Sequence, residues 1–573
     1  MNRAAVFHRQ SREFIYPLTR DNLFIRFYSE KNDILSAYIV YWKRGTSLVR
    51  EISLKRGHSG FYREEYFTSI HFDEPVHYIK YYFVIIDSNG KKAYLSNKGV
   101  QDEYRTDDEF NFLCAGTRDY VSTPSWAEEA VWYQIFPDRF KREENAKNDL
   151  LASWTSTPEG PYERFGGTLR GITEKVEYLH ELGITAVYLN PVFKAEFNHK
   201  YATCDYLHVD PDFGTDEDLR QLITSLHGKN IRIVLDGVFN HTGRDFFAFK
   251  DLVEKGESSA YRDWYYPHSF PVSESPLSYE CVGDYAPMPK LNTSNVDVQE
   301  YCINIMLHWI REYDIDGWRL DVADEVDSSL WVRARNTIKE LYPDVMLLGE
   351  SWGDAYSIAG NGLLLDGVMN YLFRSAVIRL FSGGRIDFFL DSLGEIFLKY
   401  PECVNRVNYN LLGSHDTERI LTVLGGDKAL LKCASVITFF MPGAPAIYYG
   451  DEVGMTGGND PECRGGMFWN DKADKELFEF YRNLIAFRKG NSTLTKGRIE
   501  VLLKDEEKRA FVIKNGNYIL VMNLSCNEVN LSLPCLSGLE PVFSCDMNKI
   551  DYCVSTSLKL DTKSFVIFRR RMI

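Results

Sequence analysis

Four short segments of this 573-residue chain each end an apolar run on a carboxylate. They read VLDGVFNH at 234–241, DGWRLDVADE at 316–325, LLGESW at 347–352 and LLGSHDTER at 411–419. Apolar strands that end in Asp or Glu are typical of a parallel barrel, because the carboxyl ends of its strands meet around one pocket. We therefore expect the carboxylates of these segments to converge: Asp236, Asp321, Glu350 and Asp416.

Alternating helix and strand patterns support the barrel. In GITEKVEYLHELGITAVYLNPVF, Ile172, Val176, Leu179 and Leu182 lie at helical spacing, and Gly183 can end that helix before a strand. Eight strands alternating with helices predict a (β/α)8 TIM barrel. The strands are expected near 131–136, 185–189, 232–236, 317–320, 345–349, 364–368, 407–412 and 444–449.

The sequence on either side of the barrel predicts two β-sandwich domains, so the chain is multidomain. Runs such as SAYIVYW and NYILVMNL are rich in the β-branched and aromatic residues that favour strands. The predicted domains are 1–122, 123–490 for the barrel, and 491–573. Residues 241–291 lack a clear period and are too long for an ordinary loop, so we expect a small inserted subdomain that forms one wall of the site.

Composition excludes several classes of partner. The formal net charge is −15 and there is no long basic tract, which argues against nucleic acid and anionic membranes. The polar N-terminus and the lack of about 18 uninterrupted apolar residues predict a cytoplasmic chain without a membrane helix. Eleven cysteines without CxxC spacing suit reduced thiols, and no Walker-type loop or zinc spacing is present.

Clustered carboxylates beside Arg and His are suited to cleaving glycosidic bonds. Retaining cleavage needs two carboxyl groups roughly 5–5.5 Å apart, one as nucleophile and one as acid and then base. Asp321 is the better nucleophile, because Arg319 lies two residues earlier on the same face of the strand and keeps it ionised. Glu350 has apolar neighbours and no cation in its own segment, so we expect it to stay protonated as a leaving-group acid.

Each of these residues also has a simpler interpretation. A lone Asp after a strand is more often a helix N-cap, an isolated His is usually structural, and Arg319 with Asp321 could be a structural ion pair. Four such strand ends in one barrel are harder to explain as caps. We expect Asp416 to bind the sugar hydroxyls, with His241 and His415 as hydrogen-bond donors to the same ring.

The four segments resemble, in order, the catalytic motifs of the α-amylase superfamily of retaining glycosidases. The similarity runs from WYQIFPDRF at 132–140 to the C-terminal sandwich. MPKLN at 288–292 resembles a motif of the subgroup that contains neopullulanase, cyclomaltodextrinase and maltogenic amylase. The N-terminal zone, which opens AAVFHR, resembles that subgroup's starch-binding-type module.

The resemblance implies roles for eleven residues that match the family's motifs. These are Asp321 as nucleophile, Glu350 as acid/base, Asp416 as transition-state stabiliser, Arg319, His241 and His415 as sugar-binding residues, Tyr201 as stacking aromatic, Asp236 as support, Arg464 as a further pocket residue, and Trp352 and Glu325 bordering the aglycone side.

The chain departs from the family's pattern at a calcium loop and near the acceptor side. Asn145, Asn148 and Asp149 remain as oxygen ligands, but Thr168 stands where the resemblance implies an Asp. Calcium prefers six to eight oxygen ligands, so losing a carboxylate weakens such a site. We expect no required cofactor, and structural calcium stays an alternative. Asp324 and Gly353 replace an Asn and a His that are usual in the subgroup and leave the balance of hydrolysis and sugar transfer open.

The resemblance implies an intracellular, retaining α-glucan hydrolase. Its expected substrates are cyclodextrins, maltodextrins and pullulan, cut at α-1,4 bonds with some transglycosylation. A homodimer is expected, because in the subgroup the N-terminal module of one subunit commonly covers its partner's active site. The alternatives are an α-1,6-glucosidase, a glucan transferase, or a non-catalytic maltodextrin-binding relative. We expect the N-terminal module to serve folding and the interface, without sugar affinity of its own.

Overall fold

Two packed antiparallel sheets form the N-terminal part of the molecule. The computed structural model describes residues 1–75, 77–116, 119–143, 151–360, 364–534, 538–545 and 557–570. In this part the strands are β1 (Ile15–Pro17), β2 (Asn22–Glu30), β3 (Ile34–Lys43), β4 (Arg50–Ser53), β5 (Lys55–Ser59), β6 (Arg63–His71), β7 (Tyr78–Asp87), β8 (Lys92–Ser96), β9 (Gly99–Gln101) and β10 (Phe110–Leu113). One sheet has the order β1-β2-β6-β5, and the other has β4-β3-β7-β8-β9 with β10 beside β7.

Strand β2 is buried on both faces, which joins the N-terminal sandwich to the rest of the chain. Successive side chains of a strand point to opposite faces. Leu23, Ile25 and Phe27 accordingly pack in the sandwich core, whereas Phe24 packs with Tyr16 in the large core of the central domain. The sandwich is therefore docked through one sheet face rather than tethered by a linker alone.

Eight parallel strands form the barrel that the sequence predicts. With the hairpin β13–β14 between the second and third of them, the strands are β11 (Trp132–Ile135), β12 (Ala186–Leu189), β13 (Phe193–Ala195), β14 (Thr203–Val209), β15 (Arg232–Gly237), β16 (Gly317–Leu320), β17 (Met346–Gly349), β18 (Gly367–Val368), β19 (Tyr409–Asn410) and β20 (Ala444–Tyr448). Their order is β18-β17-β16-β15-β12-β11-β20-β19, and a parallel bridge between Met369 and Tyr409 links the two end strands. All eight predicted strands are confirmed.

Helices surround the barrel and cover its outer face. They are α1 (Ser125–Glu128), α2 (Pro137–Phe140), α3 (Leu169–Thr173), α4 (Val176–Leu182), α5 (Asp216–His227), α6 (Phe247–Lys255), α7 (Val296–Tyr313), α8 (Ser328–Leu341), α9 (Tyr356–Ala359), α10 (Tyr371–Phe381), α11 (Ile386–Lys399), α12 (Glu402–Val407), α13 (Ile420–Val423), α14 (Lys428–Phe440), α15 (Lys475–Lys489) and α16 (Thr493–Lys496). In the described part of the chain, none of them has the length and apolar character that a membrane span requires.

The helix predicted around Ile172–Leu182 is two helices, α3 and α4, separated at Glu174 and Lys175. Thr168 caps the first through its side chain, which accepts a hydrogen bond from the Gly171 amide. Gly183 ends the second in the left-handed conformation, as its position predicts. The apolar period is shared by both helices, so periodicity alone did not reveal the break.

The segment 241–291 returns to the barrel by pairing with its own beginning. His241 bridges Lys290, and the Leu291 amide donates to the Asn240 carbonyl at 3.0 Å. The motif MPKLN at 288–292 therefore forms the end of the insertion and pairs with its first residues. The segment is less irregular than the sequence suggests, because it contains helix α6.

The C-terminal strands form two small antiparallel sheets. They are β21 (Ile499–Asp505), β22 (Ala510–Asn515), β23 (Tyr518–Asn523), β24 (Val529–Ser532), β25 (Leu539–Ser544), β26 (Ser557–Leu560) and β27 (Ser564–Arg570). The orders are β21-β22-β23-β27-β25 and β24-β26. The predicted fold class, a barrel flanked by two β domains, is confirmed.

A buried ion network joins the three parts beside helix α11. Glu65 of β6 accepts from Arg26 at 3.1 Å and also from Arg498, which precedes β21. Arg26 and Tyr28 donate to the Leu398 carbonyl of α11 at 3.1 and 2.8 Å. The two Arg residues hold the pKa of Glu65 down at about 2 although burial alone would raise it.

Gly394 allows helix α11 to pack directly against the N-terminal sandwich, so replacing it should lower the stability of the protein. Glycine inside a helix normally costs about 0.8–1.0 kcal/mol relative to Ala. A Cβ at Gly394, however, would overlap the Ser59 carbonyl of β5. We expect Gly394→Ala to lower stability by about 1–3 kcal/mol, as overpacking does, which calorimetry would register as a lower Tm.

Gly490→Ala is the matched control for this change. Gly490 follows α15 with a right-handed φ of −71°, and an added Cβ would meet nothing closer than 3.4 Å. This variant should leave Tm unchanged or raise it slightly. A Gly394→Ala protein as stable as wild type would show that the contact between α11 and β5 is not tight.

Candidate active site

Arg319 lies at the centre of the carboxylates that the sequence predicts to converge. It stands on β16 in register with Asp236 on β15, so adjacent strands place the two side chains together. Arg319 Nη1 donates to Asp236 Oδ1 and Oδ2 at 2.9 and 3.0 Å and to Asp321 Oδ1 at 2.7 Å. The guanidinium is fully buried, so its charge depends on these partners.

Glu350 follows β17 and also contacts this cation. Arg319 Nη2 approaches Glu350 Oε2 at 2.8 Å, and the Val322 amide donates to the same oxygen at 2.9 Å. Val322 has a φ of +45°, a strained value for a β-branched residue, and this turn directs its amide toward Glu350. The expectation of an apolar setting for Glu350 was wrong, because the cation comes from the neighbouring strand rather than from its own segment.

Burial sets the protonation behaviour of the carboxylates. It raises the pKa of Asp321, as do Glu350 and Asp236, while Arg319 acts in the opposite direction. Burial likewise raises the pKa of Asp236 against Arg319 and two tyrosine hydroxyls. Three carboxylates face one cation here, and the raised pKa values mean that Asp321 and Asp236 bind a proton more readily than isolated Asp carboxyls would.

His415 and Tyr201 form a buried polar wall beside the carboxylates. Gln134 Nε2 lies 2.8 Å from His415 Nδ1 and 2.9 Å from Asn190 Oδ1, so it donates to both. His415 Nε2 therefore carries the proton and faces the Tyr201 hydroxyl at 2.6 Å. The Tyr201 hydroxyl donates to Asp236 Oδ2 at 2.9 Å, and burial with Arg464 and Arg319 holds the pKa of His415 well below its usual range.

Of the four converging carboxylates, Asp416 is the most open to the cleft, with 29% of its side chain exposed. Arg464 Nη2 donates to Asp416 Oδ1 at 3.1 Å, and His415 Nε2 lies 3.0 Å from Oδ2. Arg464 also donates to the His415 carbonyl at 2.8 Å and pairs with Asp460 at 2.9 Å. Asp416 is thus held in place by a different cation from the one that holds Asp321.

His241 is buried, and neither of its ring nitrogens makes a hydrogen bond with the described residues. Burial and the cation of Lys290 lower the pKa of His241 to about 4, so the ring is neutral. A buried, unpaired donor and acceptor is costly unless a ligand supplies partners. His241 is therefore suited to binding a hydroxyl.

The other side of the site is open and carries an aromatic platform. Trp352 is 51% exposed, donates from Nε1 to Glu350 Oε1 at 3.1 Å, and stacks on Tyr371 at 4.2 Å. Glu325 accepts from Lys290 Nζ at 2.9 Å, and the same ammonium donates to Asn240 Oδ1 at 2.8 Å. The insertion thus supplies Lys290 to this rim.

All eleven sequence-predicted site residues of the barrel lie at its carboxyl edge or on the loops around it. Sequence reasoning missed four others that share their hydrogen bonds: Gln134, Tyr188, Asn190 and Lys290. Tyr188 donates to Asp236 Oδ2 at 2.6 Å. Asn190 directly follows the apolar strand β12, so the strand-end argument could have found it; Gln134 is a polar residue within an apolar strand, which is a weaker signal.

The calcium ligands considered from the sequence, Asn145, Asn148 and Asp149, lie outside the described residues. Where the family pattern has an Asp, Thr168 donates to Glu143 Oε1 at 2.9 Å and caps α3. Among the described residues, no group of three His, Cys, Asp or Glu is placed to hold a metal. Asp324, the other departure, accepts from Ser351 Oγ at 2.7 Å.

Comparison with known sequences extends over almost the whole chain. Residues 134–474 match the family model described as alpha amylase, catalytic domain, and residues 1–116 match alpha amylase, N-terminal ig-like domain. The cyclomaltodextrinase of Geobacillus thermopakistaniensis is 38% identical over 551 residues, which is 93% of either chain. Neopullulanase 2 of Thermoactinomyces vulgaris is 38% identical over 520 residues, 88% of each chain.

Comparison with solved structures agrees with the sequence match. A cyclomaltodextrinase structure superposes with a TM-score of 0.91 at 32% identity and covers 99% of this chain and 100% of its own. A type III pullulan hydrolase from Thermococcus kodakarensis superposes with a TM-score of 0.84 at 27% identity, over 98% and 100%. With its catalytic-domain match and these relatives along nearly its full length, the chain belongs to the α-amylase family of glycoside hydrolases.

Proposed function

We propose that this glycoside hydrolase cleaves α-1,4-glucosidic bonds with retention, through a glucosyl ester on Asp321. The observation that carries the proposal is the position of Asp321 and Glu350 on the two terminal nitrogens of Arg319. A retaining mechanism needs two such carboxyl groups near each other, one to attack and one to protonate.

In the first half of the reaction Asp321 attacks C1 of the glucosyl ring. Glu350 passes its proton to the glycosidic oxygen, the bond from C1 to that oxygen breaks, and the leaving sugar departs as an alcohol. In the second half Glu350 takes a proton from water, the water oxygen bonds to C1, and the ester bond to Asp321 breaks.

Asp416, His415 and His241 are proposed to hold the ring that reacts. Asp416 faces the cleft with its carboxylate fixed by Arg464, and His415 presents an Nε2–H in the same region. Hydrogen bonds to sugar hydroxyls strengthen as the ring flattens toward its oxocarbenium-like state. Both His rings are neutral, so they offer donors without adding positive charge beside the developing cation.

The substrates proposed are cyclodextrins, maltodextrins and pullulan. The relatives named cyclomaltodextrinase, neopullulanase and maltogenic alpha-amylase support this class. The exposed Trp352, which stacks on the buried Tyr371, lies beside Glu350, and a sugar acceptor can stack on it where water can also enter. We therefore include some transglycosylation in the proposal.

Other features of the proposal rest on the same relatives. Relatives from Bacillus subtilis are named intracellular maltogenic amylase, and we propose the same location for this chain. We propose that no cofactor is required, since every proton transfer above uses a side chain or water. We also propose that the chain divides into domains at 1–122, 123–490 and 491–573.

Product analysis tests the substrate class and the acid together. Wild type should open β-cyclodextrin to maltose and glucose and should also cut maltotriose. Glu350→Gln should lower kcat by about 10²–10⁴-fold, the usual contribution of a general acid, and with α-glucosyl fluoride it should accumulate a glucosyl ester on Asp321 detectable by mass. Rapid cleavage of isomaltose with inert cyclodextrin would favour the α-1,6-glucosidase alternative.

The control for this experiment is Glu217→Gln, which changes an exposed carboxylate on α5. It should keep wild-type kcat. Binding of maltotriose without turnover of any of the substrates would contradict the proposal and indicate a non-catalytic maltodextrin-binding protein.

The pH profile of kcat/KM should show the raised pKa of Asp321. The nucleophile must be ionised, so activity is lost as pH falls through that pKa, which lies above the ordinary Asp value of about 3.9. Asp236→Asn removes a negative neighbour that raises the pKa of Asp321. The acid limb should therefore move to lower pH by about 1 unit, alongside a fall in activity.

Asp245→Asn, which neutralises an exposed carboxylate of the insertion, should leave the limb where it is. If the acid limb of the kcat/KM profile does not move in Asp236→Asn, then Asp321 does not control the acid side of that profile.

We propose a homodimer in which the N-terminal sandwich covers the partner's cleft. Support comes from apolar residues on the sandwich surface: Leu48 and Val49 are 62% and 54% exposed in the turn before β4. Light scattering on wild type should give twice the chain mass, and Leu48→Ser/Val49→Ser should give the monomer mass. Leu341→Ser, at an apolar residue of α8 that is 52% exposed, should remain dimeric; a monomeric wild type would end the dimer proposal.

A further inference from the structure

A second cleft lies outside the barrel, where the N-terminal sandwich, helix α11 and the C-terminal strand β21 meet. Its volume is about 690 Å³, within the roughly 300–1,000 Å³ typical of small-molecule sites. The lining comes from β5, from α11 and from β21, and none of it belongs to the carboxyl edge of the barrel. The cleft is therefore separate from the active site.

The charged side chains that line this cleft each have a partner of opposite charge, either within the lining or directly behind it. Lys31 donates to Asp391 at 2.6 Å, Lys504 pairs with Asp387, and Arg56 pairs with the buried Glu64. An anion would find no unpaired cation among them. Hydroxyl groups suit such a surface, because they accept from the cations and donate to the carboxylates at the same time.

His58 is a buried polar residue of the cleft whose ring has no hydrogen-bond partner among the described residues. Its ring is 8% exposed and packs against Phe397 of α11 with centroids 4.9 Å apart. Its ring nitrogens make no hydrogen bond with the described residues, whereas its backbone amide donates to Glu65. Burial and Arg498 lower the pKa of His58 to about 3, so the ring is neutral and offers one donor and one acceptor.

We propose that this cleft binds an uncharged oligosaccharide, with His58 hydrogen-bonded to its hydroxyls. The choice of an α-glucan as that oligosaccharide rests on the proposed function. A glucan held here contacts all three parts of the molecule, so it would anchor a long substrate at a distance from the bond that is cut. It would also restrain the sandwich against α11.

Calorimetric titration of Glu350→Gln with maltotriose tests the inference. This variant should turn maltotriose over about 10²–10⁴-fold more slowly than wild type, which allows binding to be measured, and we expect two sites per chain. Adding His58→Leu should leave one site, with affinity at the other reduced at least tenfold. Adding His208→Leu, which changes an exposed His on β14, should leave both. Inorganic phosphate should not bind in the cleft.

Val501→Trp provides a second variant in case His58→Leu does not fold. Val501 lines the cleft from β21 and is 45% exposed, so the larger side chain fills the space without breaking a hydrogen bond. It should also remove one site. A single maltotriose site in Glu350→Gln, two sites that persist in both variants, or phosphate binding in place of maltotriose would each overturn the inference.

Hydrolysis of maltotriose by otherwise wild-type His58→Leu and Val501→Trp separates this inference from the proposed function. Because the cleft is remote from the catalytic residues, both variants should keep kcat within about twofold of wild type. Hydrolysis of maltotriose by wild type together with a single site in Glu350→Gln would refute the second site alone. A wild type that does not hydrolyse maltotriose would refute the proposed function.

Discussion

The buried guanidinium of Arg319 is the constraint on which the active site depends. A cation without water must have carboxylate partners, and Asp236, Asp321 and Glu350 provide them from three adjacent strands. Removing one partner would change the positions of the other two. The same interaction therefore sets the geometry of the two proposed catalytic carboxyls and opposes the rise in the pKa of Asp321 that burial causes.

The barrel turns this local interaction into an open site. Parallel strands bring their carboxyl ends to one edge, so Asp416, which comes far later in the chain, lies near the Arg319 cluster. A second cation, Arg464, fixes it there. The insertion pairs back on residues 240–242 and adds Lys290, while Trp352, stacked on the buried Tyr371, forms the open side. Rigid strand ends carry the charges, and the loops carry the surfaces that meet the substrate.

Helix α11 has a comparable role for the assembly of the domains. Arg26 and Tyr28 of the sandwich bond to its Leu398 carbonyl, and Gly394 gives room for the Ser59 backbone. The close approach leaves a cleft beside it, which β21 closes from the other side. The space proposed for a second sugar thus lies where the sandwich, α11 and β21 meet.

The repeated strand and helix patterns, and the carboxylates that end them, were sufficient to predict the eight strands, the flanking β domains and the residues that meet at the barrel edge. The spacing of apolar residues and the residue types that follow a strand are local properties, so they can be recognised in the sequence itself. The cation beside Glu350 and the tyrosine and amide partners of His415 could not be predicted in this way. Each depends on a neighbour that is distant in the chain and is brought close only when the barrel strands pair, because electrostatic and hydrogen-bond interactions act over a few ångströms in space whatever the separation in sequence.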